Sequence, residues 1–313
     1  MGDAALEEWA RAQMAAGSSS FAMAARVMPR AARRDAMLLY GWCRHCDDMI
    51  DGQDMGGALR EPPQAEQLLR LARLEDQTAA ALAGADGLDP PFAALARVAA
   101  RHDFPDAWPR DLLEGFRWDV ERRPFVSIED TLRYSYHVAG VVGVMMARIM
   151  GVRDPVVLDR ACDLGLAFQL TNIARDVQED ARAGRAYLPA DWLAEAGVRL
   201  DPEAPDPAVF PLVLRLLDMA EPYYASARVG IRALPPGCAW GIASAARIYR
   251  QIGVRLRQAG PAALSGRVST GTGEKLRLVV SGLGDAAASR LPARETPREG
   301  LWTRPRSPGD QTS

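Results

Sequence analysis

Apolar and polar residues follow the period of an α-helix over nearly every long segment of this 313-residue chain. Alanine, leucine, arginine and glutamate dominate, whereas runs of β-branched residues are scarce. The clearest helical segments are residues 66–84, 158–180 and 210–234. Between the segments lie turn sequences rich in proline and glycine, such as GADGLDPP and LPPGCAW. The pattern predicts an all-α bundle of long helices joined by short connections.

The chain shows neither an internal repeat nor a linker long enough to separate two domains. Residues 1–290 are therefore predicted to form a single domain, a length that is sufficient to bury a large core. Residues 291–313 are rich in proline, arginine and polar side chains. This composition predicts a disordered tail, because it offers little apolar surface to bury.

Composition narrows the range of functions. The net charge of −2 gives no indication of a nucleic-acid partner. Four cysteines are too few for a disulfide framework, and the N-terminal residues lack the apolar stretch of a signal peptide, so a cytoplasmic protein is predicted. The most apolar run, residues 138–151, is interrupted by Arg148 and is too short to cross a membrane. Peripheral contact with the inner face of the membrane is left open.

Two short motifs suggest chemistry that their surroundings do not support. Cys43 and Cys46 form a C-x-x-C, but no second cysteine or histidine pair completes a zinc site, so apolar packing is the better interpretation. Residues 282–287 contain a G-x-G-x-x-A, but too little chain follows to build a dinucleotide-binding unit. A helix interruption is predicted there, and no NADPH is expected.

Carboxylates occupy one helix face at two places in the chain. Asp47 and Asp51 share a face, with Asp48 at its edge. The second stripe has spacings of three, four and four residues and comprises Gln169, Asn172, Asp176 and Asp180. Carboxylates at i and i+4 repel each other, and more strongly where the dielectric constant is low. Their position beside apolar turns therefore indicates a bound cation.

Carboxylate and amide oxygens favour Mg²⁺ or Mn²⁺, and magnesium binds readily to one or two carboxylates together with phosphate oxygens. The two stripes are thus predicted to hold a diphosphate through more than one metal ion, with Arg44, Arg175 and Arg185 completing the neutralisation. The chemistry implied is departure of diphosphate beside an apolar space that shelters a carbocation. The alternative is two solvated helix faces bridged by Arg44, Arg175 and Arg182.

Four stretches carry a family resemblance. They read SSSFAMAARVMPRAARRDAMLLYGWCRHCDDMID from Ser18, YSYHVAGVVG from Tyr134, LGLAFQLTNIARDVQEDARAGRAYLP from Leu164 and, more weakly, AARIYRQIG from Ala245. They resemble the signature blocks of the squalene/phytoene synthase family of head-to-head prenyltransferases, most of all its bacterial phytoene-forming members. The similarity runs from about Ser18 into the 280s. It implies an isoprenoid-synthase bundle around a central apolar cavity, and a Mg²⁺-dependent condensation of two geranylgeranyl diphosphates to prephytoene diphosphate and then phytoene in carotenoid biosynthesis.

The resemblance also assigns residues by motif. The implied metal ligands are Asp47, Asp48, Asp51, Asn172, Asp176 and Asp180. Residues implied to take part in catalysis are Asp47, Asp51, Asp176, Asp180, Tyr136 and Arg44. Substrate contacts are expected from Ser18, Ser20, Phe21, Tyr40, Arg44, Gln169, Asn172, Arg175, Arg185 and Tyr249. Tyr40, Tyr136 and Tyr249 are expected to face the cavity. Many relatives carry lysine between the two serines, whereas this chain has Ser19.

Other activities stay open at the level of sequence. Squalene or dehydrosqualene synthesis from farnesyl diphosphate is the nearest alternative. A non-catalytic assembly factor with the same fold is an alternative of another class, although both acidic clusters are complete here. ATP is associated with bacterial members of the family, but no nucleotide motif is visible. The sequence does not specify the oligomeric state.

Overall fold

A computed structural model of the chain describes residues 2–17, 19–52, 62–266, 268, 270–291 and 296–306. Within these ranges the secondary structure consists of thirteen α-helices and short 3-10 and π-helical turns, with no β-strand, as the sequence predicted. The helices are α1 (Asp3–Gly17), α2 (Ser19–Ala25), α3 (Arg30–Asp51), α4 (Gln64–Leu82), α5 (Pro90–His102), α6 (Ala107–Val120), α7 (Ile128–Ser135), α8 (Val141–Ile149), α9 (Pro155–Arg182), α10 (Ala190–Ala196), α11 (Phe210–Gly230), α12 (Pro236–Ala259) and α13 (Thr272–Ala288).

Local sequence explains where several helices begin and end. α3 ends at Gly52, which adopts φ of 70° and donates its N–H to the Asp48 carbonyl. α7 begins with a capping box in which the Asp130 carboxylate accepts a 2.9 Å hydrogen bond from the Ser127 N–H. Asp154 caps the start of α9, because its side chain accepts a hydrogen bond from the Val156 N–H at 2.8 Å. These signals define the start of α9 and the end of α3, the two helices that carry the acidic stripes.

The longest helix, α9, lies at the centre and packs against α8, α11 and α12. Its 28 residues correspond to roughly 42 Å of helix. α8 approaches it closely at Gly143, where an added Cβ would lie 2.5 Å from the Ala161 carbonyl oxygen. That distance is well inside van der Waals contact, so glycine is required at the crossing. α9 thus acts as the axis along which the other helices are arranged.

The predicted helix interruption at residues 282–287 is wrong, because α13 runs unbroken through them. Gly282 is buried against α12, and an added Cβ would lie 2.9 Å from the Ser244 Cα. The glycine therefore serves close helix packing. The interpretation of the C-x-x-C agrees with the structure, since Cys46 is fully buried and all four cysteine thiols are free.

The prediction of a disordered tail is wrong for residues 296–306, named here the C-terminal segment. Arg298 donates to both carboxylate oxygens of Asp163, at 2.7 and 2.8 Å, and Arg304 donates to Asp159 at 2.9 Å. Asp163 is fully buried, and Arg304 is 2 % exposed. Buried carboxylates require a charged or hydrogen-bonding partner. The arginines that composition assigns to a solvated tail supply that partner.

The described helices include none that combines the length and the apolar character needed to cross a membrane.

Candidate active site

The last turns of α3 carry the first acidic cluster. Arg44 contacts two of its members, Asp47 at 3.2 Å and Asp48 at 2.6 Å. Arg44 lies one helical turn before both aspartates, so the ion pairs follow from helix geometry. The pairs leave Asp51 free of Arg44, and its partner comes from elsewhere in the fold.

The second acidic cluster lies toward the end of α9. Arg175 contacts Asp176 through both Nε, at 2.7 Å, and Nη2. One turn earlier, Asn172 donates to the Gln169 side-chain oxygen at 3.4 Å. Gln169 and Asn172 border the same apolar space as Tyr40 and Cys43 of α3, while α9 buries apolar residues on its other faces.

One guanidinium joins the two clusters. Arg185 follows the end of α9, and its Nη2 donates to Asp51 Oδ1 at 2.8 Å. It also lies within electrostatic range of Asp47 on α3 and Asp180 on α9. Burial alone would lower the pKa of Arg185, but the surrounding acidic groups raise it above the ordinary value. Arg185 therefore links the end of α3 to the neighbourhood of the acidic stripe on α9, as two stripes beside a common space would require.

The clusters hold more negative charge than their arginines neutralise. Burial raises the pKa of Asp47 to about 7, and the nearby Asp51 carboxylate adds to the effect. Burial likewise raises the pKa of Asp180 to about 7, with Asp176 as the main charged neighbour. The Asp47 side chain is still 45 % exposed, so ions from solvent have access to it. An added cation would lower both pKa values, because it favours the ionised carboxylates.

A third carboxylate, which the sequence analysis missed, lies beside this site. Asp119 on α6 accepts hydrogen bonds from the hydroxyls of Tyr134, at 2.9 Å, and Tyr187, at 2.8 Å. The two rings stack with centroids 4.9 Å apart. Burial raises the pKa of Asp119 to about 6, although Arg185 opposes the shift. Asp119 lies within FRWDVERR and has no acidic residue three or four positions away, so no helical stripe distinguishes it in the sequence.

An apolar cavity of about 270 Å³ opens beside the acidic clusters. Five of the predicted substrate contacts line it: Phe21, Tyr40, Gln169, Asn172 and Tyr249. The Tyr249 ring stacks on Phe168 with centroids 4.1 Å apart, and Phe21 lies 6.1 Å from Tyr40. Burial raises the pKa of Tyr40 to about 12, so its hydroxyl stays protonated at neutral pH.

Tyr136 does not face this cavity, and that part of the prediction is wrong. Its hydroxyl donates to Asp111 at 2.5 Å, and its ring centroid lies 5.3 Å from that of Trp302 in the C-terminal segment. Each residue of a helix turns the side-chain direction by about 100°, so Tyr134 and Tyr136, two residues apart, point about 200° apart and cannot face the same side. Tyr134 is the tyrosine directed toward the acidic site. Ser18 lies outside the described residues, as does the side chain of Ser20.

The acidic clusters and Asn172 offer oxygen ligands of the kind that Mg²⁺ and Mn²⁺ prefer. The buried Asn172 Oδ1 has no hydrogen-bond partner, which is suitable for a metal ligand. Among the described residues, no three acidic, histidine or cysteine side chains converge into a complete metal cluster. Magnesium needs only one or two carboxylates when phosphate oxygens supply further ligands. The residues therefore fit ions that bind together with a diphosphate.

Comparisons with known proteins agree with this geometry. A model of the family described as squalene/phytoene synthase matches residues 14–274. A 15-cis-phytoene synthase from Paracoccus sp. (strain N81106 / MBIC 01143) is 60 % identical over 92 % of this chain and 94 % of its own length. A phytoene synthase from Pseudescherichia vulneris is 50 % identical over 93 % of this chain and 96 % of its own length. The crystal structure of a dehydrosqualene synthase in complex with ligand superposes with a TM-score of 0.79 and 25 % identity, covering 91 % of this chain and 98 % of that chain.

Proposed function

The chain belongs to the squalene/phytoene synthase family, and from this premise we propose that it condenses two geranylgeranyl diphosphates into phytoene. The observation that supports this activity best is the ion pair of Arg185 with Asp51, within electrostatic range of Asp180, beside an apolar cavity that Gln169 and Asn172 line. Such a site combines a region for an anionic leaving group with a dry space for a prenyl chain. The 15-cis geometry of the product is proposed from the name of the Paracoccus relative.

Binding of the substrate begins with its diphosphate. Arg44, Arg175 and Arg185 are all paired with carboxylates in the structure, and a diphosphate competes for their guanidiniums. The acidic clusters would hold Mg²⁺ or Mn²⁺, more than one ion in all, which when bound neutralises charge on the departing diphosphate. The arginines then orient the leaving group so that its C–O bond points into the cavity.

The first ionisation breaks the C–O bond of the donor and leaves an allylic cation. The 2,3-double bond of the second substrate attacks this cation, and loss of a proton closes the cyclopropane of prephytoene diphosphate. The apolar lining excludes water, which would otherwise capture the cation. The faces of Tyr249 and Phe168 offer quadrupole stabilisation to positive charge passing along the cavity.

The second ionisation releases the second diphosphate, after which the skeleton rearranges and a further proton loss forms the central double bond. Released diphosphate oxygens or a tyrosine hydroxyl are the candidate bases. No hydride donor is needed for this outcome, whereas reduction to a squalene-type product requires NADPH. A requirement for ATP is suggested by the family resemblance alone, since this chain shows no nucleotide-binding motif.

The test is to incubate the purified protein with Mg²⁺ and either geranylgeranyl or farnesyl diphosphate, with and without NADPH, and to identify the products by chromatography. Phytoene from geranylgeranyl diphosphate without NADPH is expected. Squalene or dehydrosqualene as the main product would contradict the proposal and favour the shorter substrate. Absence of any turnover, with substrate still bound, would favour the non-catalytic alternative.

Peripheral membrane contact is proposed through the outer face of α13. Leu276, Val280 and Leu283 recur at spacings of four and three residues and are 59 %, 63 % and 51 % exposed. The exposed Arg277 adds positive charge beside them, which suits an anionic lipid surface. Flotation with phosphatidylglycerol vesicles should recover the wild type, and Val280→Glu should reduce recovery severalfold. Equal recovery of both proteins would contradict this docking face.

A further inference from the structure

The apolar cavity has a defined far end. Its lining follows α9 from Asn172, beside the acidic clusters, back to Val157 near the start of the helix. Fifteen residues of α-helix separate these two positions, which corresponds to roughly 22 Å along the axis. A prenyl chain whose diphosphate lies at the acidic clusters therefore has its tail directed toward the beginning of α9.

A charged side chain lies at this far end. Arg160 is the one charged residue among the described residues that line the cavity. Its guanidinium points away from the cavity and donates to the Ser226 carbonyl at 3.3 Å and the Ser226 hydroxyl at 3.2 Å. Its methylene groups lie against α11, because an added Cβ on Gly230 would be 2.9 Å from the Arg160 Cβ. The cavity is thus bounded at this point by the aliphatic part of an arginine.

The C-terminal segment holds this arginine in place. The Thr296 carbonyl accepts from Arg160 Nη1 at 3.3 Å and Nη2 at 3.2 Å. The segment itself is anchored to α9 by the ion pair between Arg298 and the fully buried Asp163. Arg160 therefore forms a cross-connection from α9 to α11 and to a segment that lies beyond residues 14–274, the range matched by the family model.

A second cavity of about 510 Å³ lies on the other side of this connection. Thr296 lines the second cavity, and Ile231 lines both cavities. The Arg160–Thr296 contact is thus part of the wall between the two spaces. Removing the arginine side chain would extend the apolar cavity toward a volume that is already present in the fold.

We propose that the aliphatic part of the Arg160 side chain closes the far end of the apolar cavity and limits the length of the prenyl chain that the site accepts. Arg160 determines specificity in this proposal and touches none of the reacting atoms. The inference rests on the proposed use of a prenyl diphosphate. It adds that chain length is limited by a residue about 24 Å along α9 from Asp176.

The test compares substrates of different chain length. For the wild type and Arg160→Ala, we would measure product formation from geranylgeranyl diphosphate and from the longer geranylfarnesyl diphosphate. Arg160→Ala is expected to raise the rate with the longer substrate, relative to the shorter one, by at least about tenfold. Arg160→Met keeps an unbranched side chain and should hold the ratio within about threefold of wild type. Arg228→Ala, which removes an arginine from the second cavity alone, is the matched control and should leave the ratio unchanged.

An unchanged ratio in a folded Arg160→Ala variant would overturn the proposal, as would an equally large change in Arg160→Met. If Arg160→Ala does not fold, Ala227→Leu tests the same end, because it fills space beside Ser226 and should favour farnesyl over geranylgeranyl diphosphate. Calorimetric measurement of the affinities for geranylgeranyl and geranylfarnesyl diphosphate gives the same comparison without turnover. Binding that discriminates by length while no product forms would uphold the end of the cavity and refute the proposed reaction.

Discussion

The Nη2 of Arg185 lies 2.8 Å from the Oδ1 of Asp51, and this ion pair connects the end of α9 to the end of α3. It brings together two helices whose acidic stripes are more than a hundred residues apart in the chain. The guanidinium occupies the space between carboxylates that would otherwise repel one another. In the proposed function a diphosphate competes with Asp51 for this guanidinium, so replacement of Arg185 tests substrate binding directly.

Replacement of Arg185 by glutamine should raise KM for geranylgeranyl diphosphate by about tenfold or more, because one charged contact to the diphosphate is lost. Arg182→Gln is the matched control, since Arg182 is exposed at the last residue of α9. Steady-state kinetics with both variants provide the measurement. Equal KM values for the two variants would show that Arg185 does not contact the substrate.

Asp176→Ala should lower turnover by more than about a hundredfold, because it removes a proposed ligand of the metal ions that would neutralise the departing diphosphate. The helical circular dichroism should stay unchanged, since the removed carboxylate is already crowded by Asp180. Product formation is measured at saturating Mg²⁺. Activity near that of the wild type would refute the metal role assigned to α9.

Asp163→Ala should lower the stability of the fold, whereas Asp176→Ala should lower turnover. Asp163→Ala removes the bidentate partner of the largely buried Arg298, which keeps only a 3.6 Å contact to the Asp159 carboxylate and a bond to the Trp302 carbonyl, and should cost about 3–5 kcal/mol of the free energy of unfolding. Denaturant titration measures this loss, and the acidic clusters at the cavity opening stay intact. A variant as stable as the wild type would show that the C-terminal segment contributes little to the fold.

Tyr134→Phe and Tyr136→Phe form a second contrasting pair. Loss of the Tyr134 hydroxyl removes one of the two tyrosine hydrogen bonds to Asp119 beside Arg185 and should lower kcat by about tenfold. Loss of the Tyr136 hydroxyl removes only the bond to Asp111, so kcat should stay within about twofold while the free energy of unfolding falls by about 1 kcal/mol. A larger effect of Tyr136→Phe on kcat would restore Tyr136 as the catalytic tyrosine.

Asp35 should contribute a pH-dependent part of the stability. Burial alone raises its pKa, but hydrogen bonds from His102, at 2.9 Å, and Arg101, at 2.6 Å, outweigh burial and hold the pKa well below its usual range. A carboxylate with a lowered pKa stabilises the folded state above its unfolded pKa of about 3.9 and loses that contribution as the pH falls below it. Between about pH 5 and about pH 2, the free energy of unfolding of Asp35→Asn should therefore decrease less steeply than that of the wild type. The exposed Asp76→Asn should match the wild type, and a wild-type slope in Asp35→Asn would contradict the role of Asp35.

The periodic pattern of the sequence was enough to predict the helices, because local backbone and side-chain preferences decide whether a segment is helical. It was also enough to place Asp47 with Asp51, and Asp176 with Asp180, on single helix faces. The motif resemblance identified five of the residues that line the cavity, namely Phe21, Tyr40, Gln169, Asn172 and Tyr249. Each of these inferences depends on neighbours within a few residues along the chain.

The role of a carboxylate pair was decided by the tertiary structure alone. Asp159 and Asp163 have the same i, i+4 spacing on the same helix as Asp176 and Asp180, yet arginines from residues 298–306 neutralise them in the interior. The same long-range contacts order a segment whose composition predicts disorder. Spacing along a helix determines which side chains share a face, whereas the charge state and purpose of that face depend on what the rest of the chain packs against it.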